Sequence, residues 1–396
     1  MSGKNGKAGE QSRHSATSFR RYLNPSLLDF IDQIQSYEYI PEITRVADDM
    51  GIHASTVWKF MNLLKSKGLR FLGVIDVAKL NAEVVTLMLN EFVPHENVFK
   101  GLLREYAPIL PWGTTLTYII PKGSAETFLN ELLPTLPREP REVIKTVYTI
   151  VGRPNLKRYY DVKTREILID WDDMFEMVGA APRESIPRES QRRGKIDEID
   201  LFILRKLEVS PFESLRKVTD ELNAELKPVT AVNYIRVLRH FKNHIEARGV
   251  LRGVKLDPTP LYPPDTVYVK AVIRGNPAEI HRVAKVLTTH PMFPEAYLNP
   301  TEGVGVIDAF IPLKKLFGFS QFLNRLKSEG FIKEWSLTYL DRGGWRKYLL
   351  PIKLFSKPVN LLVREGDEGF VAEFEGSVAL PPLRGVRKVR KQGKQA

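Results

Sequence analysis

The chain has 396 residues, 43% hydrophobic and 27% charged, contains no cysteine and carries a formal net charge of +12. This length exceeds one ordinary core and predicts roughly two to four domains, and the balance of apolar and charged residues excludes a disordered or collagen-like chain. Without cysteine there is no disulfide framework, no thiolate nucleophile and no cysteine-ligated zinc or iron–sulfur site.

No run approaches the ~18 to 20 apolar residues of a spanning helix, and residues 1–21 lack an apolar signal-peptide centre, so a cytoplasmic protein with no membrane partner is expected. The charge is uneven: residues 1–24 carry +4, residues 182–195 carry +3 and residues 384–396 carry +6, which leaves the rest of the chain nearly neutral. Basic arms of this kind keep a protein soluble or bind a polyanion, and three of them point to nucleic acid. Few glutamines and abundant Lys, Arg and Glu fit a thermophilic source, and the expected source is an archaeon.

In chain order, residues 1–18 read as a disordered basic tail. A first domain over 19–75 holds three helices. Asn24-Pro25-Ser26 starts the first, with Leu27, Leu28, Ile31 and Ile34 at helical spacing. Pro41 opens the second, which Gly51 ends as a left-handed cap. The third runs from His53 through Val57, Phe60, Met61 and Leu64 to Gly68. A tight glycine turn between the second and third helices is the helix-turn-helix pattern. Over 76–180 the reading is a strand at Val84–Phe92, a helix at Glu96–Tyr106, strand material at Leu110–Ile120 broken at Pro111-Trp112-Gly113, a helix at Ser124–Leu133 and a last strand at Ile144–Val151. That order is a βαββαβ plait, followed by an extension over Arg158–Met177.

A linker over 181–195 precedes a restart. Residues 196–256 repeat the three helices: Ile196 to Leu207, Ser214 to Leu222, and Thr230 to Arg248, ending at Gly249. Residues 257–341 repeat the plait, with strands at Thr266–Ile273, Ala296–Leu298, Val304–Ile311 and Trp335–Leu340 and helices at Ala278–Thr288 and Phe319–Ser328. Residues 342–383 form a β-rich extension and 384–396 a basic tail. The repeat is visible in letters: Tyr118-Ile119-Ile120-Pro121 before Phe128-Leu129-Asn130-Glu131-Leu132 matches Ala309-Phe310-Ile311-Pro312 before Phe322-Leu323-Asn324-Arg325-Leu326. The expected fold class is α+β, two winged or helix-turn-helix domains each followed by a ferredoxin-like βαββαβ domain.

Residues Asp197-Glu198-Ile199-Asp200 with Ile203-Leu204, Ser214-Leu215-Arg216, and Gly249-Val250-Leu251-Arg252-Gly253 resemble the DNA-binding half of the leucine-responsive regulators, the Lrp/AsnC family. The following plait is similar to that family's ligand-sensing domain, down to the turn Gly303-Val304-Gly305 with Asp308 after it. The first copy matches through Gly73-Val74-Ile75, with the glycine-rich turn reduced to Gly113. Family members carry one copy per chain and this chain carries two, so that one chain imitates a dimer or one copy has taken another task. The resemblance implies a non-catalytic, DNA-binding transcription regulator that binds double-stranded DNA as a homodimer. By the same analogy, Gly303, Gly305 and Asp308 are candidate positions for a small-molecule effector.

In a helix-turn-helix the start of the third helix enters the major groove. Thr230, Asn233, Arg236 and Arg239 are therefore the candidate base readers of the second copy, with Lys242 nearer phosphate. The first copy offers Ser55, Thr56 and Lys59, and the tail adds Arg387, Lys388, Arg390 and Lys391. Trp58 reads as packed at a helix interface, with stacking on a base or partner as the alternative. A different class, a factor that clamps structured RNA or a ribosomal subunit in translation or dormancy, also suits the basic arms. The enzyme reading is the weakest. His240 and His244 lie one helical turn apart without the glutamate of a zinc hydrolase motif, and read as two surface histidines. Asp170, Asp172 and Asp173 read as caps of a local turn. No metal, no cofactor and no catalytic constellation is expected.

Overall fold

The computed structural model describes residues 23–184, 196–226 and 230–355. The tails over 1–18 and 384–396, most of the linker, Pro228 and the later part of the C-terminal extension lie outside the described residues. Within them the chain is α+β, built of helices and antiparallel sheets, and no helix is long and apolar enough to cross a membrane.

The first half opens with three helices. α1 (Pro25–Ser36) starts where the Asn24 side chain accepts from the Leu27 N–H at 2.9 Å, with Pro25 at the first helical position, a polar cap and a pre-set φ in the places that favour them. Its apolar stripe, Leu27, Leu28, Phe30, Ile31 and Ile34, is buried. α2 (Ile43–Met50) ends at Gly51, whose φ of 64° only glycine adopts freely. Phe30 then meets Phe60 of α3 (Ala54–Ser66) at 5.2 Å and Phe71 at 6.2 Å, which ties the helices to the strand that follows.

That strand is β1 (Phe71–Ile75), succeeded by β2 (Ala82–Leu89), β3 (Leu103–Pro108), β4 (Thr114–Pro121), α4 (Ala125–Leu132) and β5 (Glu142–Thr146). Next come β6 (Tyr148–Val151), α5 (Leu156–Tyr159), a short hairpin of β7 (Tyr160–Asp161) and β8 (Glu166–Ile167), and α6 (Trp171–Ala180). Two expectations are corrected here. No helix forms over Glu96–Tyr106: a single 3-10 turn at His95–Asn97 precedes β3, because Gly101 interrupts the segment and residues 103–108 find a ladder partner in β4. The last strand expected over Ile144–Val151 is two strands that enter different sheets, broken where the Val147 N–H leaves its own sheet to donate to the Leu298 carbonyl at 3.0 Å.

The second half has α7 (Glu198–Val209), α8 (Leu215–Leu226) and α9 (Tyr234–His240), the last continued by a π turn at Phe241–Glu246. Then follow β9 (Leu251–Leu256), β10 (Thr266–Arg274), α10 (Pro277–Leu287), β11 (Glu295–Asn299), β12 (Val304–Pro312), α11 (Leu316–Ser328), β13 (Glu334–Leu340) and β14 (Arg346–Lys347). α9 begins later than expected, since Asn233 is its cap and Thr230 lies before it.

Three strand pairings join the halves. β1 pairs antiparallel with β9, Phe71 opposite Leu256. The two large sheets have the orders β14-β3-β4-β2-β5 and β13-β10-β12-β11-β6. Each is four strands of one half plus an edge strand from the other, so that β6 completes the second sheet and β14 the first. Helices cover the outer faces: Tyr118 meets Phe128 of α4 at 5.1 Å, and Trp171 of α6 packs on Phe319 and Phe322 of α11 at 5.3 and 5.5 Å. Asp170 caps α6 by accepting from the Asp172 and Asp173 N–H groups at 2.9 and 3.2 Å, as its position suggested.

Candidate functional site

The inner faces of the two sheets meet. Ladder partners point to the same face of a sheet. One row therefore runs Lys347, Glu105, Thr117, Thr86 and Ile144 across the first sheet. The other runs Val151, Glu295, Asp308, Lys270 and Thr338 across the second.

The contacts between the rows are ionic. Lys270, 0% exposed, donates to Asp308 at 2.6 Å on its own sheet and to Glu105 at 3.2 Å on the facing one. Glu105 also accepts from the Tyr268 hydroxyl at 2.5 Å. Lys347 reaches across to Glu295 Oε1 at 2.7 Å, Lys255 of β9 reaches the same oxygen at 2.9 Å, and the Tyr297 hydroxyl donates to Oε2 at 2.5 Å. Arg104 of β3 grips Glu208 of α7 through both terminal nitrogens.

Burial and pairing push these groups apart. Burial pushes the Asp308 carboxyl up to about 6, against the pull of Lys270. Burial would also raise Glu295, but Lys255 and Lys347 hold it well below the usual carboxylate range. Two lysines share that one carboxylate, and burial drives Lys255 below the usual ammonium range, with Lys347 adding to the effect and Glu295 opposing it. Lys347 and Lys270 go the other way, their carboxylate partners outweighing the cost of burial.

Beside the rows lies a cavity of about 60 Å³. Its polar wall is Arg104, Glu208, Lys255, Glu295, Tyr297 and Lys347, with the hydroxyls of Thr117 and Thr149, and β1 closes one side through Leu72 to Ile75. Thr149 Oγ1 is buried and has no hydrogen-bond partner among the described residues. Buried hydroxyls are normally satisfied.

The effector candidates are not brought together. Gly303 and Gly305 serve backbone approach: Gly303 has φ 62° with the Gly275 carbonyl against it, and a side chain at Gly305 would meet Leu298 and Ile280 at 2.9 and 3.0 Å. Asp308, three residues on from Gly305, points to the opposite face and into the ionic row. Of the candidate nucleic-acid contacts, Ser55 and Lys59 are exposed on α3 and Thr56 is partly covered. Trp58 is 49% exposed, which corrects its reading as an interface residue. Thr230, Arg236, Arg239 and Lys242 are exposed, and Lys242 pairs with Glu246 at 2.6 Å. The Asn233 side-chain oxygen caps α9 by accepting from the Arg236 N–H at 2.9 Å. Arg387, Lys388, Arg390 and Lys391 lie outside the described residues.

No protein-family model and no curated protein matches the sequence. Two solved structures that resemble the chain are of the siroheme decarboxylase NirDL, one in co-complex with an iron-uroporphyrin III analogue. They are 12% and 10% identical, with TM-scores of 0.42 and 0.41, and each match covers 79% of this chain and 90% of the other. These are structures of an enzyme and not of a DNA-binding regulator. That corrects the expectations of a tandem leucine-responsive regulator, of a transcriptional or ribosome-binding role, and of a non-catalytic protein. The fold sets Glu105 and Asp308 on one buried lysine, a cluster the expected list of site residues did not contain.

The sequence search missed Lys270, Glu105, Glu295, Lys255, Lys347 and Arg104. A signal was present: in Tyr268-Val269-Lys270-Ala271-Val272 a lysine occupies a strand otherwise fit for burial on both faces.

Proposed function

We propose that each half is a helix-turn-helix unit followed by a ferredoxin-like plait, and that the two plaits close on a site for a small molecule bearing a carboxylate, which the chain binds and acts on as an enzyme. The observation that supports this reading is the cavity wall: two lysines converge on the single carboxylate of Glu295, and the unpartnered Thr149 hydroxyl lies beside them. Three cations, Arg104, Lys255 and Lys347, line the space against two carboxylates, Glu208 and Glu295. A ligand carboxylate would take the surplus charge and the idle hydroxyl together. Lys255, lowered by burial, is the group suited to exchange a proton with that ligand. The volume fits a small carboxylate, or one carboxylate arm of a larger molecule, and no more.

Calorimetric titration of the full chain with acetate, malonate, succinate and glycine tests the binding. Saturable heat from at least one of them is expected, weakened at least about tenfold by Lys347→Met and less by Thr149→Val. Turnover is sought as CO2 release from the carboxylates that bind, with siroheme, the compound in the names above, in the same series. Absence of binding across the series, or binding indifferent to both substitutions, refutes the reading.

A further inference from the structure

The second three-helix unit holds a cluster separate from the central cavity. Asp200, in the first turn of α7, is 0% exposed, and its Oδ2 accepts from the Asp197 N–H at 3.0 Å in a reciprocal capping box. From the neighbouring helix, His240 Nδ1 lies 2.9 Å from Asp200 Oδ1, and His244 Nδ1 lies 2.9 Å from Oδ2. The donor atoms of all three residues lie within 4.8 Å of one another. Asp197 Oδ1 is 3.5 Å from His240 Nδ1, a fourth oxygen at the same place.

Two features set this cluster apart from a pair of surface histidines, the reading the sequence suggested. A carboxylate removed from water is costly to bury unless a cation stands against it, and the ion pairs of Asp200 among the described residues are with these two imidazoles alone. The helix also departs from α geometry between the histidines, in a π turn with the Ala247 N–H donating to the Lys242 carbonyl at 3.0 Å. Such turns are rare and concentrate at functional sites.

We propose that Asp200, His240 and His244 bind one divalent transition-metal ion of the zinc class. Two ligands about 2.0 to 2.1 Å from a tetrahedral ion stand about 3.3 Å apart, and the nitrogens already stand 2.9 to 3.1 Å from the carboxylate oxygens. Insertion needs an outward shift of a few tenths of an ångström. Imidazole and carboxylate suit zinc, cobalt or nickel, and the remaining position falls to Asp197 or to water, His244 being about one-third exposed. The ion would fasten α7 to the end of α9, as a structural staple in a chain that has no cysteine to serve as ligand.

The untagged full chain, stripped with chelator and dialysed, is titrated with Co2+ and followed by visible absorption, then with competing Zn2+. One ion per chain is expected, with ligand-field bands and a rise in melting temperature. Affinity should fall at least about tenfold in His244→Ala and in His240→Ala. His244 is the more exposed of the two, so His244→Ala and the milder His244→Gln decide the matter if His240→Ala misfolds. No bound metal, or stoichiometric binding that His244→Ala and His244→Gln leave unchanged, overturns the proposal.

Discussion

Replacing Lys270 by methionine keeps the length and the apolar stem of the side chain and removes its charge. The ammonium is 0% exposed and serves Asp308 at 2.6 Å and Glu105 at 3.2 Å, one from each sheet. Breaking a buried pair by deleting one partner costs about 3–5 kcal/mol, since the other is left uncompensated. At about 2–4 °C per kcal/mol, the melting temperature should fall by roughly 6 to 20 °C at pH 8. The pH dependence has a definite sign. Burial already pushes Asp308 up to about 6 while Lys270 pulls it down; without that pull it rises further. A carboxyl raised in the folded state binds its proton more tightly there, so its effect is to stabilise as pH falls. The deficit of Lys270→Met against the parent is therefore widest near pH 8 and narrows towards pH 5. Adding Asp308→Asn should remove most of that dependence. Melting curves from pH 5 to 8 decide it: parent and variant melting alike at pH 8, or a gap that widens on acidification, would refute the ionic account of the sheet interface.

Glu295→Gln leaves Lys255 and Lys347 together without their carboxylate, again at about 3–5 kcal/mol. Lys255 is already held low, so this deficit should shrink as pH rises from 7 to 9, the opposite slope to Lys270→Met, in the same melting assay. Trp171→Ala removes the ring between Phe293, Phe319 and Phe322; a loss of about 3–5 kcal/mol is expected, read by denaturant unfolding, with hydrogen exchange fastest along α6. Gly303→Ala places a methyl group against the Gly275 carbonyl at a φ of 62° and should cost about 1–3 kcal/mol. Gly330→Ala, also at positive φ but with nothing within 4 Å, should cost less in the same unfolding assay.

Where local chemistry decides an element, the sequence showed it. Asn24 with Pro25 marked the start of α1, Gly51 the end of α2, and Asp197-Glu198-Ile199-Asp200 the opening of α7. Every strand and helix between residues 266 and 340 fell within a few residues of its expected place, because apolar runs there alternate cleanly with polar turns. Where partners distant in sequence decide, the reading failed. Residues 103–108 have helical spacing of a kind, but β4 offers them a ladder. The break at Val147 is set by Leu298, 151 residues away. Lys270 and Asp308 show as charges within apolar strands, yet their partner Glu105 lies more than 160 residues upstream, and nothing in the letters announces that the two sheets meet. The histidines at 240 and 244 were visible as a pair; Asp200, some 40 residues earlier, was visible only as part of a helix opening.

Because both large sheets belong to one chain, the centre between them can be asymmetric. In a symmetric dimer a two-fold interface shows the same surface twice, so a charged row must face its own copy. Here the ladders make Glu105 the counterpart of Glu295, Thr117 that of Asp308, Thr86 that of Lys270, and Lys347 that of Val151. Only the glutamates are alike. One sheet carries hydroxyls where the other carries the Asp308–Lys270 pair, and the lysine at the edge of the first sheet has a valine as its counterpart in the second. A repeated Asp–Lys pair facing itself would place four charges at these ladder positions where this arrangement places two. The freedom to differ also lets Lys255 and Lys347 converge on Glu295 with no matching pair required at Glu105. The reciprocal exchange of β6 and β14 then keeps the unlike halves in register, since each sheet is completed only by a strand of the other.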